Sequence, residues 1–326
     1  MAGLLLRLCA LLVLMGASAS GLAQTRAEDC PSDPPPYRLP ESRGVDPPMQ
    51  YCFARVQGRR VLWLYGGVGA DSASQVQRGL RQERAYDEVW VNSPGGSVAE
   101  ALEIGQTLRR LRAHVRVPAK RGVVCISACT ILMLGGYNRT VDQQAIFIVH
   151  AKSGVMRISA NTGFGTVGGK LMTWGEAVEI LKQEPEQLKQ LAQYKWNTEV
   201  NASTELISYY QTMIEGLPQA AAYRQLAARA LPALYDGASP ARRFSEDLAD
   251  IQARGLVALQ EIFTQVELGA MSAIYDGLWR ERASLGVGAE EALKIFRAGL
   301  NCRIQDLCPL EPHQLEQLGY HNFTPQ

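Results

Sequence analysis

Short apolar runs alternate with amphipathic segments along the first half of the chain. Five runs have the length and the β-branched content of buried strands: RVLWLY, EVWV, HVRV, GVVCI and AIFIV. Three intervening segments repeat apolar residues at helical spacing: SASQVQRGLRQERA, VAEALEIGQTLRRLRA and ACTILML. Strands that alternate with helices predict an α/β fold with a parallel sheet and right-handed connections. Functional groups in such a fold lie at the carboxyl ends of the strands.

The pattern changes after Gly169 to long amphipathic stretches rich in Ala, Leu, Gln and Glu. Pro218, Pro232, Pro240 and Gly286 interrupt these stretches, which therefore predict several helices rather than one. We expect this helical region to serve as a lid over the α/β part or as an oligomerisation layer.

The N-terminal residues have the pattern of a secretory signal peptide. One basic residue precedes an apolar run from Leu8 to Met15, and small residues follow it up to Ala23. An uncleaved membrane anchor is the minor alternative, because the run is shorter than the ~20 residues of a spanning helix. After cleavage near Ala19 or Ala23, no later stretch is long and apolar enough to span. We therefore expect a periplasmic or secreted protein.

Composition and charge exclude some partners. The chain has 47% hydrophobic and 20% charged residues, which is typical of a globular protein. Its 33 basic and 32 acidic residues leave a formal net charge of +1. With no strong overall field, the sequence favours neither nucleic acid nor an anionic membrane as a partner. Residues 24–50 are too rich in proline for a helix or a central strand and are expected to form an extended arm.

The cysteines suggest an oxidising compartment. Removal of the signal peptide takes Cys9 away and leaves six cysteines, an even number that favours disulfides. We expect pairs between Cys30 and Cys52 and between Cys302 and Cys308, because each pair brackets a short loop-like or Pro-containing segment.

The loop Asn92–Ser97, with the sequence NSPGGS, lies between a predicted strand and a predicted helix. Its two glycines let the backbone turn tightly and point an amide into a site. The alternative is an ordinary turn. A phosphate-binding loop is disfavoured, because neither a Lys-Ser/Thr pair nor the GxGxxG spacing is present.

Two side chains with catalytic chemistry end neighbouring strands. Ser127 stands where the run GVVCI meets a helix, so its hydroxyl is placed as a nucleophile with the Ala128 N–H as an oxyanion donor. His150 follows the strand AIFIV. The structural alternatives are a helix N-cap for the serine and a satisfied buried residue for the histidine.

The order of a Gly-Gly turn, a serine at a strand–helix junction and a histidine after the next strand resembles the ClpP/crotonase-like superfamily. Caseinolytic protease and signal peptide peptidase A are members of it. The resemblance covers about residues 60–165. Within the superfamily, the chain is similar to secreted bacterial ClpP-like proteins, for which proteolysis is inferred from the fold. It implies a core of repeated ββα units, a nucleophile at Ser127, a base at His150, and oxyanion amides at Gly96 and Ala128.

The same resemblance implies a third, acidic member of the site near the C-terminus. Asp306 precedes the segment CPLEPHQLEQLGY much as the family's acid precedes a closing turn, whereas the similar segment FSEDLADIQARGLV has arginines at the matching distance. The long interval between His150 and Asp306 requires a large insertion that returns the chain to the site. A Ser-His dyad without the acid is the alternative.

Cys125 and Cys129 flank the serine, and three interpretations are open. We favour small apolar core residues with free thiols, followed by a disulfide across the junction. A metal site is disfavoured, because neither His114 nor His150 is obviously placed as a further ligand. No redox C-x-x-C motif is present, and we expect no metal and no cofactor.

These interpretations lead to two functions. The first is a serine peptidase that cleaves peptide or protein substrates through an acyl-enzyme on Ser127. The second is a catalytically inactive binding or assembly module, and either form is compatible with a homo-oligomer. Acyl-CoA chemistry is disfavoured by the predicted signal peptide. The predicted segments are a signal peptide at 1–23, an arm at 24–50, an α/β core at 51–168, a helical insertion or lid at 169–300 and a C-terminal return to the core at 301–326.

Overall fold

The structure is a computed structural model that describes most of the chain. Its described residues are 29–30, 35, 48–81, 86–151, 163–167, 170–215, 244–302 and 308–322. The predicted signal peptide, most of the predicted arm and Asp306 lie outside these residues.

The first sheet has five strands. They are β1 (Gln50–Val56), β2 (Arg59–Tyr65), β3 (Glu88–Asn92), β4 (His114–Val117) and β6 (Asn138–Val141), in that spatial order. From β2 onwards the strands pair in parallel, as predicted, but β1 and β2 pair antiparallel. The reason is the short connection Gln57–Gly58, which allows only a hairpin.

The second sheet places the candidate site. It consists of β10 (Cys308–Pro309), β7 (Ile146–Val149) and β5 (Val124–Ile126), in that order. β5 and β7 are parallel, with Ile126 opposite Ile148. The serine and the histidine that follow these strands therefore emerge at the same edge of the sheet.

Helices connect the strands as the hydrophobic pattern predicts. They are α1 (Ser72–Arg81), α2 (Val98–Arg110) and α3 (Ala128–Leu134). Helix α2 begins after Ser97, whose hydroxyl accepts a hydrogen bond from the Glu100 N–H. All seven residues of α3 are buried, so the helix that follows Ser127 belongs to the core.

The rest of the described chain is mainly helical. A two-stranded hairpin, β8 (Gly163–Val167) and β9 (Lys170–Thr173), spans the predicted boundary at residue 168. The helices that follow are α4 (Trp174–Gln183), α5 (Pro185–Glu215), α6 (Phe244–Arg254), α7 (Leu256–Arg280), a 3₁₀ turn (Arg282–Leu285), α8 (Ala289–Leu300) and, after β10, α9 (Pro312–Gln317). None of the helices within the described ranges combines the length and the apolar character needed to cross a membrane.

The C-terminal residues lie against the α/β core. β10 pairs antiparallel with β7, and the Tyr320 ring lies 4.8 Å from the Phe147 ring. The buried Arg139 donates from Nε to the Gly319 carbonyl at 2.9 Å, and its backbone N–H donates to Asn322 Oδ1 at 2.6 Å. These contacts attach the last described segment to β6 and to β7, the strand that precedes His150.

Candidate active site

Ser127 occupies a backbone conformation that is rare for a residue with a side chain. Its φ is 58° and its ψ is −124° at the junction of β5 and α3. Its N–H donates to the Ile148 carbonyl at 3.0 Å, and its carbonyl accepts from the Thr130 N–H and hydroxyl. Ser127 occupies the N-cap position of α3, but its hydroxyl makes no capping hydrogen bond, so capping does not occupy the hydroxyl.

The glycine loop packs directly against Ser127. Gly95 and Gly96 have φ values of 92° and 139°, which favour glycine. A Cβ on Gly95 would lie 2.7 Å from the Ser127 Cβ, and a Cβ on Gly96 would lie 2.5 Å from the Val68 carbonyl oxygen. The loop is also held by the Val68 N–H, which donates to the Gly95 carbonyl at 2.8 Å. Both glycines are therefore required for this close approach.

Two backbone amides near Ser127 are available as donors. Neither the Gly96 N–H nor the Ala128 N–H donates to an acceptor within the part of the chain that the structure describes. Gly96, Ser127, Ala128 and His150 line one cleft. Unpaired amides beside a nucleophile are what an oxyanion hole requires.

His150 is held in the tautomer that a general base needs. The ring is half-buried, and its Nδ1 lies 2.8 Å from the Ala151 carbonyl oxygen. Because a carbonyl can only accept, Nδ1 carries a proton, and in the neutral ring Nε2 is then the nitrogen with the free lone pair. Among the hydrogen bonds of the described residues, none joins His150 to the Ser127 hydroxyl.

Asp306 lies outside the described residues, but its neighbours on both sides border the histidine strand. The Cys302 carbonyl accepts from the Ala151 N–H at 2.8 Å, and Cys308 pairs with Val149. No carboxylate in the described ranges hydrogen-bonds His150.

The helical region contributes one wall of the cleft. Its lining side chains come from α5, α7 and α8 as well as from the α/β core: Leu206, Tyr210, Met271, Ile295, Phe296 and Leu300. Helix α8 approaches so closely that a Cβ on Gly299 would lie 3.2 Å from the His150 carbonyl oxygen. No Asp, Glu, Lys or Arg is among the described residues that line this cleft.

The cysteines beside Ser127 form a disulfide, which corrects the favoured interpretation of free, packed thiols. Cys125 and Cys129 are joined at an S–S distance of 2.05 Å. The chain reversal at Ser127 brings their Cα atoms to 5.2 Å, within the range of disulfides. The pairs Cys30–Cys52 and Cys302–Cys308 are present as predicted. The described residues contain no cluster of three or more metal-ligating side chains.

Residues 49–164 match the family model described as Clp protease. The chain contains a ClpP-like domain. The matched segment includes the glycine loop, Ser127 and His150, whereas helices α4 to α8 lie beyond it. No curated protein and no solved structure matches the chain.

Two residues that contact Ser127 or His150 were not predicted from the sequence. Thr130 donates hydrogen bonds to the Ser127 carbonyl, and the Ala151 carbonyl orients the His150 ring. Gly95 was assigned to the tight turn from the doubled glycine, and the structure adds that it packs on Ser127. Ala151 contacts His150 through its backbone carbonyl, and the residue type gives no sign of such a contact.

Proposed function

We propose that the protein is a ClpP-like serine peptidase that acts in the periplasm or outside the cell. The carrying observation is the cleft in which Ser127, His150 and the two unpaired amides of Gly96 and Ala128 lie together. The Clp protease match over residues 49–164 supports a peptidase rather than another hydrolase.

The proposed reaction passes through an acyl-enzyme. His150 Nε2 takes the Ser127 hydroxyl proton while Oγ bonds to the carbonyl carbon of the scissile peptide. The amides of Gly96 and Ala128 stabilise the resulting oxyanion, and collapse breaks the C–N bond as His150 returns the proton to the leaving amine. His150 then takes a proton from a water as the water oxygen bonds to the ester carbon. The C–Oγ bond breaks, the carboxylic acid product leaves, and His150 returns the proton to Ser127 Oγ.

Asp306 is proposed as the third member of the site. Support comes from its flanking residues, since Cys302 and Cys308 are disulfide-bonded and both contact the segment around His150. A carboxylate there would stabilise the imidazolium that forms during attack. The dyad alternative assigns the orienting role to the Ala151 carbonyl alone.

The proposed location is supported by three disulfides within the described residues, because such bonds persist in oxidising compartments. The substrate class is a peptide or protein. Self-association belongs to the same proposal and is measured by mass photometry of the purified protein.

The second candidate is an inactive binding module. It is favoured by one observation: the Ser127 hydroxyl and His150 share a cleft but no hydrogen bond joins them within the described part of the chain. A catalytic pair in the free enzyme is often loosely aligned and tightens only with substrate, so the peptidase remains the better proposal.

The deciding experiment is labelling with a fluorophosphonate probe, read by intact mass. We expect one adduct on the wild type and none on Ser127→Ala or His150→Ala. Asp306→Asn should label far more slowly if the acid is the third member, and at the wild-type rate if the site is a dyad.

Ser97→Ala is the matched control for this experiment. Ser97 caps α2 beside the glycine loop, so its loss should cost about 0.5–2 kcal/mol of stability but leave the adduct in place. A folded wild type that takes no adduct would refute the peptidase and favour the binding module.

A further inference from the structure

The Cys125–Cys129 disulfide closes a small ring around the proposed nucleophile. Cys125 lies in β5 and Cys129 in α3, two residues before and two residues after Ser127. Both cysteines are fully buried. The bond therefore lies in the core behind Ser127, and neither cysteine lines the cleft.

The backbone conformation of Ser127 is unfavourable for a residue with a Cβ, as a comparison with Gly255 in the same chain shows. Gly255, which precedes α7, has φ 58° and ψ −122°, almost the same values as the 58° and −124° of Ser127. At Gly255 the residue is a glycine, for which this conformation is unstrained. At Ser127 a Cβ is present, so the same conformation is costly and persists only if its surroundings impose it.

The disulfide supplies a restraint that the local hydrogen bonds alone do not. If β5 continued through Ser127, the two cysteine Cα atoms would be roughly 13 Å apart at the rise of a strand. The bond holds them at 5.2 Å and so excludes the extended continuation. The hydrogen bond from the Ser127 N–H to the Ile148 carbonyl opposes early winding of α3. Together they favour the strained turn over an extended strand and over an earlier start of the helix.

We propose that the Cys125–Cys129 disulfide is a positioning element for the nucleophile. It acts through the Ser127 backbone. It places the Ser127 hydroxyl to attack the substrate carbonyl carbon and the Ala128 N–H to donate to the oxygen of the same carbonyl. This inference deepens the proposed peptidase function and rests on it. Neither cysteine touches the substrate.

The test compares two disulfide-free variants of the full mature protein. Cys125→Ala/Cys129→Ala should lower the probe-labelling rate and the kcat for a peptide substrate by about tenfold to a hundredfold, because small misplacements of reacting groups carry penalties of that size. KM should change little, since the apolar cleft walls remain. Cys125→Val/Cys129→Ala, which fills the strand position with an apolar side chain, serves as the second variant if the first does not fold.

Cys30→Ala/Cys52→Ala is the matched control. This pair joins β1 to the N-terminal segment and lies outside the cleft, so its removal should lower the melting temperature without changing kcat. If both disulfide removals leave kcat equal to that of the wild type, the positioning role is wrong.

A structural measurement separates this inference from the proposed function. Crystal structures of the wild type and the variant should show Ser127 at positive φ only when the disulfide is present. A variant that keeps the positive φ overturns the inference, whatever its activity. The two ideas can also fail separately. If the wild type takes no probe and the disulfide-free variant loses the positive φ at Ser127, the peptidase is refuted but the bond still positions Ser127.

Discussion

At the residue scale, Gly96 is the most sensitive position of the site that carries no reacting atom. Its φ of 139° and the 2.5 Å that would separate an added Cβ from the Val68 carbonyl oxygen forbid a side chain. Gly96→Ala should displace the loop amide, abolish probe labelling and cost about 1–3 kcal/mol of stability in urea denaturation.

Gly122→Ala is the control for that substitution. Gly122 also has a positive φ, 83°, but an added Cβ would meet nothing within 4 Å. Its labelling rate should stay at the wild-type value. Equal labelling by the two variants would mean that the Gly96 amide has no part in the reaction.

Single residues could be predicted where side-chain chemistry and order were informative. The sequence indicated Ser127, His150, Gly96 and Ala128 through the resemblance, and the structure places all four in one cleft. The disulfide at Cys125 was ranked second, because it accompanies a chain reversal at Ser127 that residue types do not encode. The catalytic roles of these four residues and of Asp306 stay predictions.

At the element scale, the last described segment stabilises the strand that leads to His150. Tyr320 is 1% exposed, and its ring packs on Phe147 of β7. Tyr320→Ala should therefore cost about 3–5 kcal/mol in chemical denaturation, as large buried aromatics do. Tyr320→Phe keeps the ring contact and should cost only about 1 kcal/mol for the lost hydroxyl interactions. Comparable losses in the two variants would show that the packing against β7 contributes little.

The main strands and connecting helices were predictable because each has a strong period of its own. The missed strands are short or lack that period. β10 has only two residues, one of them Pro309, and it forms through pairing with β7, a partner distant in sequence. The antiparallel β1 was missed because QYCFARV mixes apolar and charged positions, and its direction is set by a two-residue turn.

At the scale of the whole molecule, acid should weaken the fold through a buried charge cluster. Glu88 is 2% exposed; burial alone would raise its pKa, but the Trp90 hydrogen bond and the charges of His114, Arg116 and Arg59 lower it overall. Burial lowers the pKa of His114. Both pKa values are thus lower in the folded protein than in the unfolded chain, where a glutamate titrates near 4.3 and a histidine near 6.5.

The sign of the pH effect follows from these directions. The unfolded chain binds more protons, so stability should be complete above about pH 6.5 and fall as the pH drops through 6 and then below 4. Thermal unfolding from pH 8 to pH 3 measures this. Glu88→Gln should lower the melting temperature at pH 7 and flatten the decline below pH 4; an unchanged profile would contradict the assignment to Glu88.

The relation between the helical region and the site was only partly predictable. A lid or an assembly layer was expected from the pattern after Gly169, and helices α5, α7 and α8 do line the cleft. Which helical faces meet the core depends on contacts between distant segments, such as Gly299 against His150, and amphipathic periodicity alone does not specify these.

The full burial of Cys125 and Cys129 has a consequence for the order of maturation. An oxidant reaches sulfurs at 0% exposure only while α3 is detached from the core, so the bond forms before α3 packs or during its local unfolding. On the proposal above, a newly made chain with reduced thiols would fold without a fixed nucleophile. Oxidation during folding would then play the part that propeptide cleavage plays in a zymogen, with activity conferred by making a covalent bond.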